Sequence, residues 1–168
     1  MSSGTKVTQV VAASIFAALG LSAPAMAAVA TGTLGVQIQI TAECRVVSAN
    51  TLDFGSHGLL VANVDSTSAL TIQCTNGTPY TVGLGLGAGA GATLAARKMT
   101  GPGGATVDYT LWKDAAYTAP WGNALPAELV SGTGNGASQA ITVYGRVPTQ
   151  TTPAVGTYTD TVAIEVTY

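Results

Sequence analysis

The chain has 168 residues, of which only 8% are charged, with a formal net charge of −2. That length is one domain's worth of sequence, and the 21 glycines suit tight turns better than long helices. Beyond Lys6, the basic residues Arg45, Arg97, Lys98, Lys113 and Arg146 are scattered, which excludes the clustered basic footprint of a nucleic-acid binder.

The N-terminus reads as an export leader. Lys6 supplies a positive charge, Val10 to Leu21 is almost entirely small and apolar, and Ala25-Met26-Ala27 is a small-residue cleavage signal. The leader is therefore expected to span 1–27, with the mature chain starting at Ala28. The apolar run is short for a membrane span, Pro24 follows it, and no second run of spanning length occurs.

The mature chain has period two nearly throughout, the signature of half-buried strands. Leu34, Val36, Ile38, Ile40 and Ala42 alternate with Gly35, Gln37, Gln39, Thr41 and Glu43. Val46-Val47 and a short strand at Leu52-Asp53-Phe54, ending in a turn at Gly55, come next. From Ala69 to Cys74, residues Leu70, Ile72 and Cys74 share a face, and Asn76-Gly77 is a turn signal. Tyr80, Val82, Leu84 and Leu86 form the next face, with Gly83 and Gly85 opposite.

The Gly/Ala run 87–92 and Gly101 to Gly104 read as loops, and neither is followed by the Gly-Lys-Ser/Thr of a phosphate-binding loop. Val107, Tyr109 and Leu111 mark another strand face. Asp114 to Asn123 reads as loop, Ala124 to Leu129 as ambiguous, and Ser131 to Ser138 as loop. Ile141, Val143, Gly145 and Val147 mark a further strand, Pro148 to Pro153 a connection, and Val162, Ile164, Val166 and Tyr168 a terminal strand. Many short strands, with no amphipathic helix and no internal repeat, predict an all-β antiparallel sandwich.

Cys44 and Cys74 are the sole cysteines; in an oxidising compartment such a pair is most simply a disulfide. A metal site lacks ligands, because His57 is the single histidine, and nothing ties His57 to either thiol for catalysis. The acids Glu43, Asp53, Asp65, Asp108, Asp114, Glu128, Asp160 and Glu165 are scattered, and no serine sits in a nucleophile elbow. Neither catalytic, metal nor cofactor-binding residues are expected. A secreted binding module remains an alternative, with Trp112, Tyr117 and Trp121 as a candidate aromatic platform.

The two ends stand out. An alternating strand runs to Tyr168, and the cleanest alternation in the chain begins a few residues after the cleavage signal. Either the N-terminal strand closes its own sandwich, or it completes another copy by strand addition, in which main-chain hydrogen bonds give affinity and alternating pockets give register.

The chain resembles the spore coat protein U-type domain, the pilin module of archaic chaperone–usher pili. The resemblance rests on the strand leading into Cys44, on Leu52-Asp53-Phe54-Gly55, Leu70-Thr71-Ile72-Gln73-Cys74, Tyr80-Thr81-Val82-Gly83-Leu84, Tyr109-Thr110-Leu111-Trp112-Lys113-Asp114 and Trp121-Gly122, and most specifically on Val143-Tyr144-Gly145-Arg146-Val147-Pro148 and Gly156-Thr157-Tyr158-Thr159-Asp160-Thr161-Val162.

The resemblance implies an immunoglobulin-like sandwich that lacks its last strand. It implies a donor-strand segment over 28–43, with Leu34, Val36, Ile38 and Ile40 as its inserting face, and a pilin domain over 44–168. It implies an acceptor groove and chaperone contact at Val162, Ile164, Val166 and Tyr168. The implied partners are identical or related subunits, a periplasmic chaperone and an outer-membrane usher. The implied destination is a pilus on the surface of a Gram-negative-type bacterium, serving adhesion and biofilm formation. The segment Gly83 to Ala92 is unusually bare of side chains for this pattern, and the length left after cleavage is that of a shaft or minor subunit.

Overall fold

The computed structural model describes residues 26–168; Lys6, the apolar run Val10 to Leu21 and Ala25 of the cleavage signal lie outside them. The chain divides into two units at Ile38/Gln39. In the first, the described residues 26–38 carry no strand, and Leu34, Val36 and Ile38 are exposed. The alternation through Ala42 therefore forms no ladder here, and the first strand begins at Cys44.

The second unit is all-β. Its strands are β1 (Cys44–Ala49), β2 (Val64–Cys74), β3 (Pro79–Leu84), β4 (Arg97–Thr100), β5 (Thr106–Trp112), β6 (Val130–Thr133), β7 (Ser138–Val147) and β8 (Ile164–Thr167). They form a five-stranded sheet, order β1-β2-β7-β5-β4, and a three-stranded sheet, order β6-β3-β8, with every pairing antiparallel.

The expected inward faces are the observed ones. Leu70, Ile72 and Cys74 of β2, Tyr80, Val82 and Leu84 of β3, Val107, Tyr109 and Leu111 of β5, and Val143 and Val147 of β7 share one core. Leu86 falls past the end of β3 and is exposed. Gly77 has φ of 80°, a left-handed turn conformation that glycine adopts without strain.

Further readings need correction, and one strand gave no sequence signal. Leu52–Phe54 is not a strand. The chain there follows β2 through hydroxyls instead of a ladder: Ser66 Oγ donates to the Asp53 carbonyl (2.5 Å) and Ser68 Oγ to that of Asn50 (2.6 Å). Leu52 and Phe54 still reach the core because Gly145 leaves room; a Cβ on it would meet Leu52 Cδ2 at 2.7 Å. The stretch 131–138 is not all loop, since β6 pairs with β3 from Val82↔Val130 to Pro79↔Thr133. β4 had no signal, because its inward residue is an arginine. The last strand stops at Thr167, leaving Tyr168 outside it and exposed.

Arg97 has no exposed surface. Its Nε donates to the Gly85 carbonyl (2.9 Å), and its Nη2 to those of Leu84 (3.1 Å) and Trp121 (2.6 Å). Trp121 is itself fully buried, and its Nε1 donates to the Val82 carbonyl at 3.0 Å. Burial pulls the Arg97 pKa below its ordinary value, while nearby Tyr109 and Asp160 oppose that shift. The Tyr109 hydroxyl, its pKa raised by burial and then by Asp160, donates to Asp160 Oδ2 at 2.7 Å. Asp160 Oδ1 accepts from the backbone N–H of Ala88 and of Thr161, both at 2.7 Å. Asp160 thus fixes the chain just before β8.

Asp160→Ala is expected to destabilise the domain by about 2 kcal/mol, because it strips a buried hydroxyl and two backbone donors of their acceptor. Denaturant unfolding beside Tyr109→Phe measures this; the smaller loss belongs to the phenylalanine variant, which removes a single bond.

Cys44 and Cys74 are bonded, closing a sequence separation of 30. They lie directly opposite each other where β1 pairs with β2. The chain-entropy model assigns such a loop about 3–4 kcal/mol. Cys44→Ser/Cys74→Ser is expected to lower the unfolding free energy by roughly that amount. A midpoint unchanged in denaturant would contradict it.

On the outer face, Asp65 accepts from Arg146 Nε (2.6 Å) and Nη2 (2.8 Å). The Arg146 hydrogen bonds hold the Asp65 carboxyl below its ordinary 3.8. The pair's contribution is therefore present above that value and is lost as pH falls through the lower folded-state pKa. Both side chains are partly exposed, so solvent limits the effect to under about 1 kcal/mol. Asp65→Asn is expected to lower stability at neutral pH by under about 1 kcal/mol and to flatten the acid limb, so that the variant and parent curves converge below the folded-state pKa.

Candidate functional site: two open strand edges

β8 pairs with β3 from Leu84↔Ile164 to Thr81↔Thr167, and among the described residues nothing pairs with its other edge. β1 pairs with β2, and among the described residues its other edge is equally free. The two strands belong to different sheets and approach each other without forming a ladder. The sandwich is open along the side where β1 faces β8.

The side chains at this opening are apolar and incompletely covered. Ile164 and Val166 of β8, with Val162 just before it, pack on the core yet are only half-buried. On β1, Val46 and Val47 are 42% and 46% exposed, and the register with β2 shifts between Val46 and Ser48. A bulge there bends an edge strand and leaves one residue out of the ladder. The main chain also offers unpaired N–H and C=O groups along both edges, a template for another strand.

Of the residues singled out from the sequence, the structure brings Val162, Ile164 and Val166 to the open edge. Tyr168 lies beyond the strand. Leu34, Val36, Ile38 and Ile40 are exposed, Ile38 at 82%. Val46 and Val47 border the opening as well, but the sequence reading gave them no role. Their adjacency within β1 hid the alternation that the bulge restores.

The aromatic platform does not form. Trp121 is in the core, whereas Trp112, Tyr117 and Tyr144 pack edge-to-face with centroids 6.4 Å apart in each pair. The Arg146 guanidinium covers the Tyr117 ring at 3.7 Å. His57 is exposed in its loop, and its Nε2 donates to the Phe54 carbonyl at 2.6 Å.

Comparison with known proteins agrees with this geometry. The Spore Coat Protein U domain model matches residues 30–165. Protein U of Myxococcus xanthus is 34% identical over 180 residues, covering 96% of this chain and 97% of that protein. Among solved structures, the chain superposes with a TM-score of 0.57 on a chain of the CsuC–CsuE chaperone–tip adhesion subunit pre-assembly complex, from archaic chaperone–usher Csu pili of Acinetobacter baumannii. That match is 23% identical and covers 77% of this chain, which spans 40% of the length of the solved one. The shared architecture is the all-β fold, and the family's proteins are structural rather than enzymatic. The matched span and the near full-length relative place this chain in the Spore Coat Protein U domain family.

Proposed function

We propose that this chain is a structural subunit of a surface pilus, assembled by donor-strand exchange through a periplasmic chaperone and an outer-membrane usher. Residues 1–27 are its export leader, and adhesion and biofilm formation are what the fibre serves. The observation that carries the reading is the pairing of a lack with a surplus. Among the described residues, the domain has two free strand edges over half-buried Val162, Ile164 and Val166, and the alternating apolar segment at Leu34, Val36, Ile38 and Ile40 pairs with no strand.

In this mechanism the segment of one subunit lies between β1 and β8 of another. Its main chain satisfies the open ladders, and its apolar face covers the exposed core. Side chains alternate along a strand, so Val36, Ile38 and Ile40 enter together while Gln37 and Gln39 point outward. Burying each aliphatic side chain contributes roughly 1.5–3 kcal/mol. The chaperone covers the same opening before assembly. The solved relative comes from a complex described as a chaperone–tip adhesion subunit pre-assembly complex, which supports this order of events.

Ile38→Asp is expected to abolish polymerisation when subunit, chaperone and usher are expressed together, whereas Gln37→Asp leaves fibre length unchanged on micrographs. Normal fibres from Ile38→Asp would refute the donor segment. Val166→Asp, at the acceptor edge, is expected to prevent chaperone capture in a pull-down. A subunit lacking 28–38 should still be captured yet donate no strand, so its complexes should stay unpolymerised.

A further inference from the structure

Two open sheets have four edge strands, and here they are not alike. β1 and β8 border the opening, while β6 and β4 end the two sheets on their other sides. Alternate residues of an edge strand turn their N–H and C=O groups outward, where any extended chain can pair with them. Among the described residues, no side chain caps the main chain of β1 or β8. On β4 the outward groups are covered by main chain. Thr100 N donates to the Thr159 carbonyl (2.8 Å), and Thr159 N donates back to that of Thr100 (3.1 Å). Lys98, two residues earlier, turns its carbonyl the same way. The chain at Gly89 lies over it, so close that a Cβ there would meet the Lys98 oxygen at 2.3 Å. The bareness of the Gly/Ala run thus has a use at this point, since a side chain would hold the cover off.

On β6 the cover is made of side chains. Gly134 N donates to the Thr78 carbonyl (2.7 Å), which continues the ladder with β3 past Gly132↔Tyr80 and Val130↔Val82. Those residues face β3, so Leu129, Ser131 and Thr133 turn their main-chain groups to the outer edge. The Lys113 ammonium donates to the carbonyls of Leu129 (3.3 Å) and Ala127 (2.5 Å). Gln139 Nε2 reaches from β7 to the Thr133 carbonyl (3.2 Å). Leu129 N is engaged as well, with the Pro126 carbonyl (3.3 Å). Ser131 lies between the two caps, and one residue is too short a stretch to hold a strand, which usually needs about three or more.

We infer that Lys113 and Gln139 confine strand addition to one side of the subunit. They keep β6 from taking up the 34–40 segment of another copy, so each subunit accepts one strand and the fibre stays unbranched. The identity of the incoming strand rests on the donor-strand reading. Given that reading, β6 is the competing acceptor. It is the other edge of the sheet that holds β8, and main-chain hydrogen bonds do not distinguish two edges of one sheet. Every subunit of a fibre brings one such segment, and a bare β6 would offer it a second seat. A lysine at a sheet edge is a common guard against such pairing. Here the ammonium guards the edge by bonding the carbonyls themselves, and the Gln139 amide does the same at the strand's other end.

The test uses Lys113→Met/Gln139→Leu, which keeps the side-chain bulk but removes both donors. A photo-crosslinking amino acid at Ser131, which is exposed, reports what reaches the β6 edge in subunits expressed with chaperone and usher. Mass spectrometry is expected to find adducts to 34–40 of another subunit severalfold more often in the double variant than in the parent, with branched or laterally joined fibres on micrographs. Lys113→Arg, which keeps a donor at the edge, is expected to behave as the parent. Where the double variant does not accumulate, Lys113→Met alone carries the same crosslinker and the same expectation. Unbranched fibres with no more Ser131 adducts than the parent overturn this inference alone. Added adducts to some other segment also overturn it, because the caps then keep out a different strand. Normal fibres from Ile38→Asp overturn the donor-strand reading and this inference with it.

Discussion

A guanidinium group without a carboxylate in contact holds the two sheets together. Arg97 belongs to the five-stranded sheet, yet its three hydrogen bonds go to carbonyls of Leu84, Gly85 and Trp121, at the end of β3 and in the loop behind it. Carbonyl dipoles replace part of the solvation that the cation gives up on burial, while its Nη1 is buried with no hydrogen-bond partner among the described residues. β8 depends on this arrangement indirectly: it pairs with β3 alone, and Gly85 N donates to the Ala163 carbonyl (2.9 Å) immediately before it. Asp160 and Tyr109 then hold the segment leading into β8. A strand with one free edge and half-buried side chains has little packing of its own, so polar anchors at its base keep it in place.

The same logic explains why an incomplete sandwich can keep its shape. The disulfide pins the start of β1, the other edge strand of the opening, to the end of β2. Anchors at β1 and β8 keep both edge strands in place, so in the proposed assembly an incoming strand has less ordering entropy to overcome. Preformed open edges are also an aggregation hazard, because any extended chain offers matching hydrogen bonds. In the proposed assembly, a chaperone that occupies the opening beforehand answers that hazard.

Much of the fold was legible in the sequence, since the apolar alternation of β2, β3, β5 and β7 marks the side chains that reach the core. Period two signals a strand with one face inward, and these strands obey it. The misses share a cause. β4 places an arginine inward, and charge in a sequence reads as solvent. β6 is short and contains Ser131 and Gly132, which read as loop. Trp121 lies in a segment without periodicity, yet it is among the largest buried side chains. Leu52 and Phe54 have a strand's alternation but are held by side-chain hydroxyls of β2, which alternation does not report.

The sequence by itself determined which side chains share a face, the pairing of two cysteines, and the family resemblance. Alternation is a local property of an extended chain, so it survives without a partner. Only the tertiary structure decided which strands meet and which edges stay free. The alternation at Leu34, Val36, Ile38 and Ile40 is as regular as that of β2, yet β2 has a strand on each side and the N-terminal segment has none among the described residues. A ladder needs two chains at hydrogen-bonding distance, and the positions of β1 and β8 on separate sheets follow from the whole course of the chain between them.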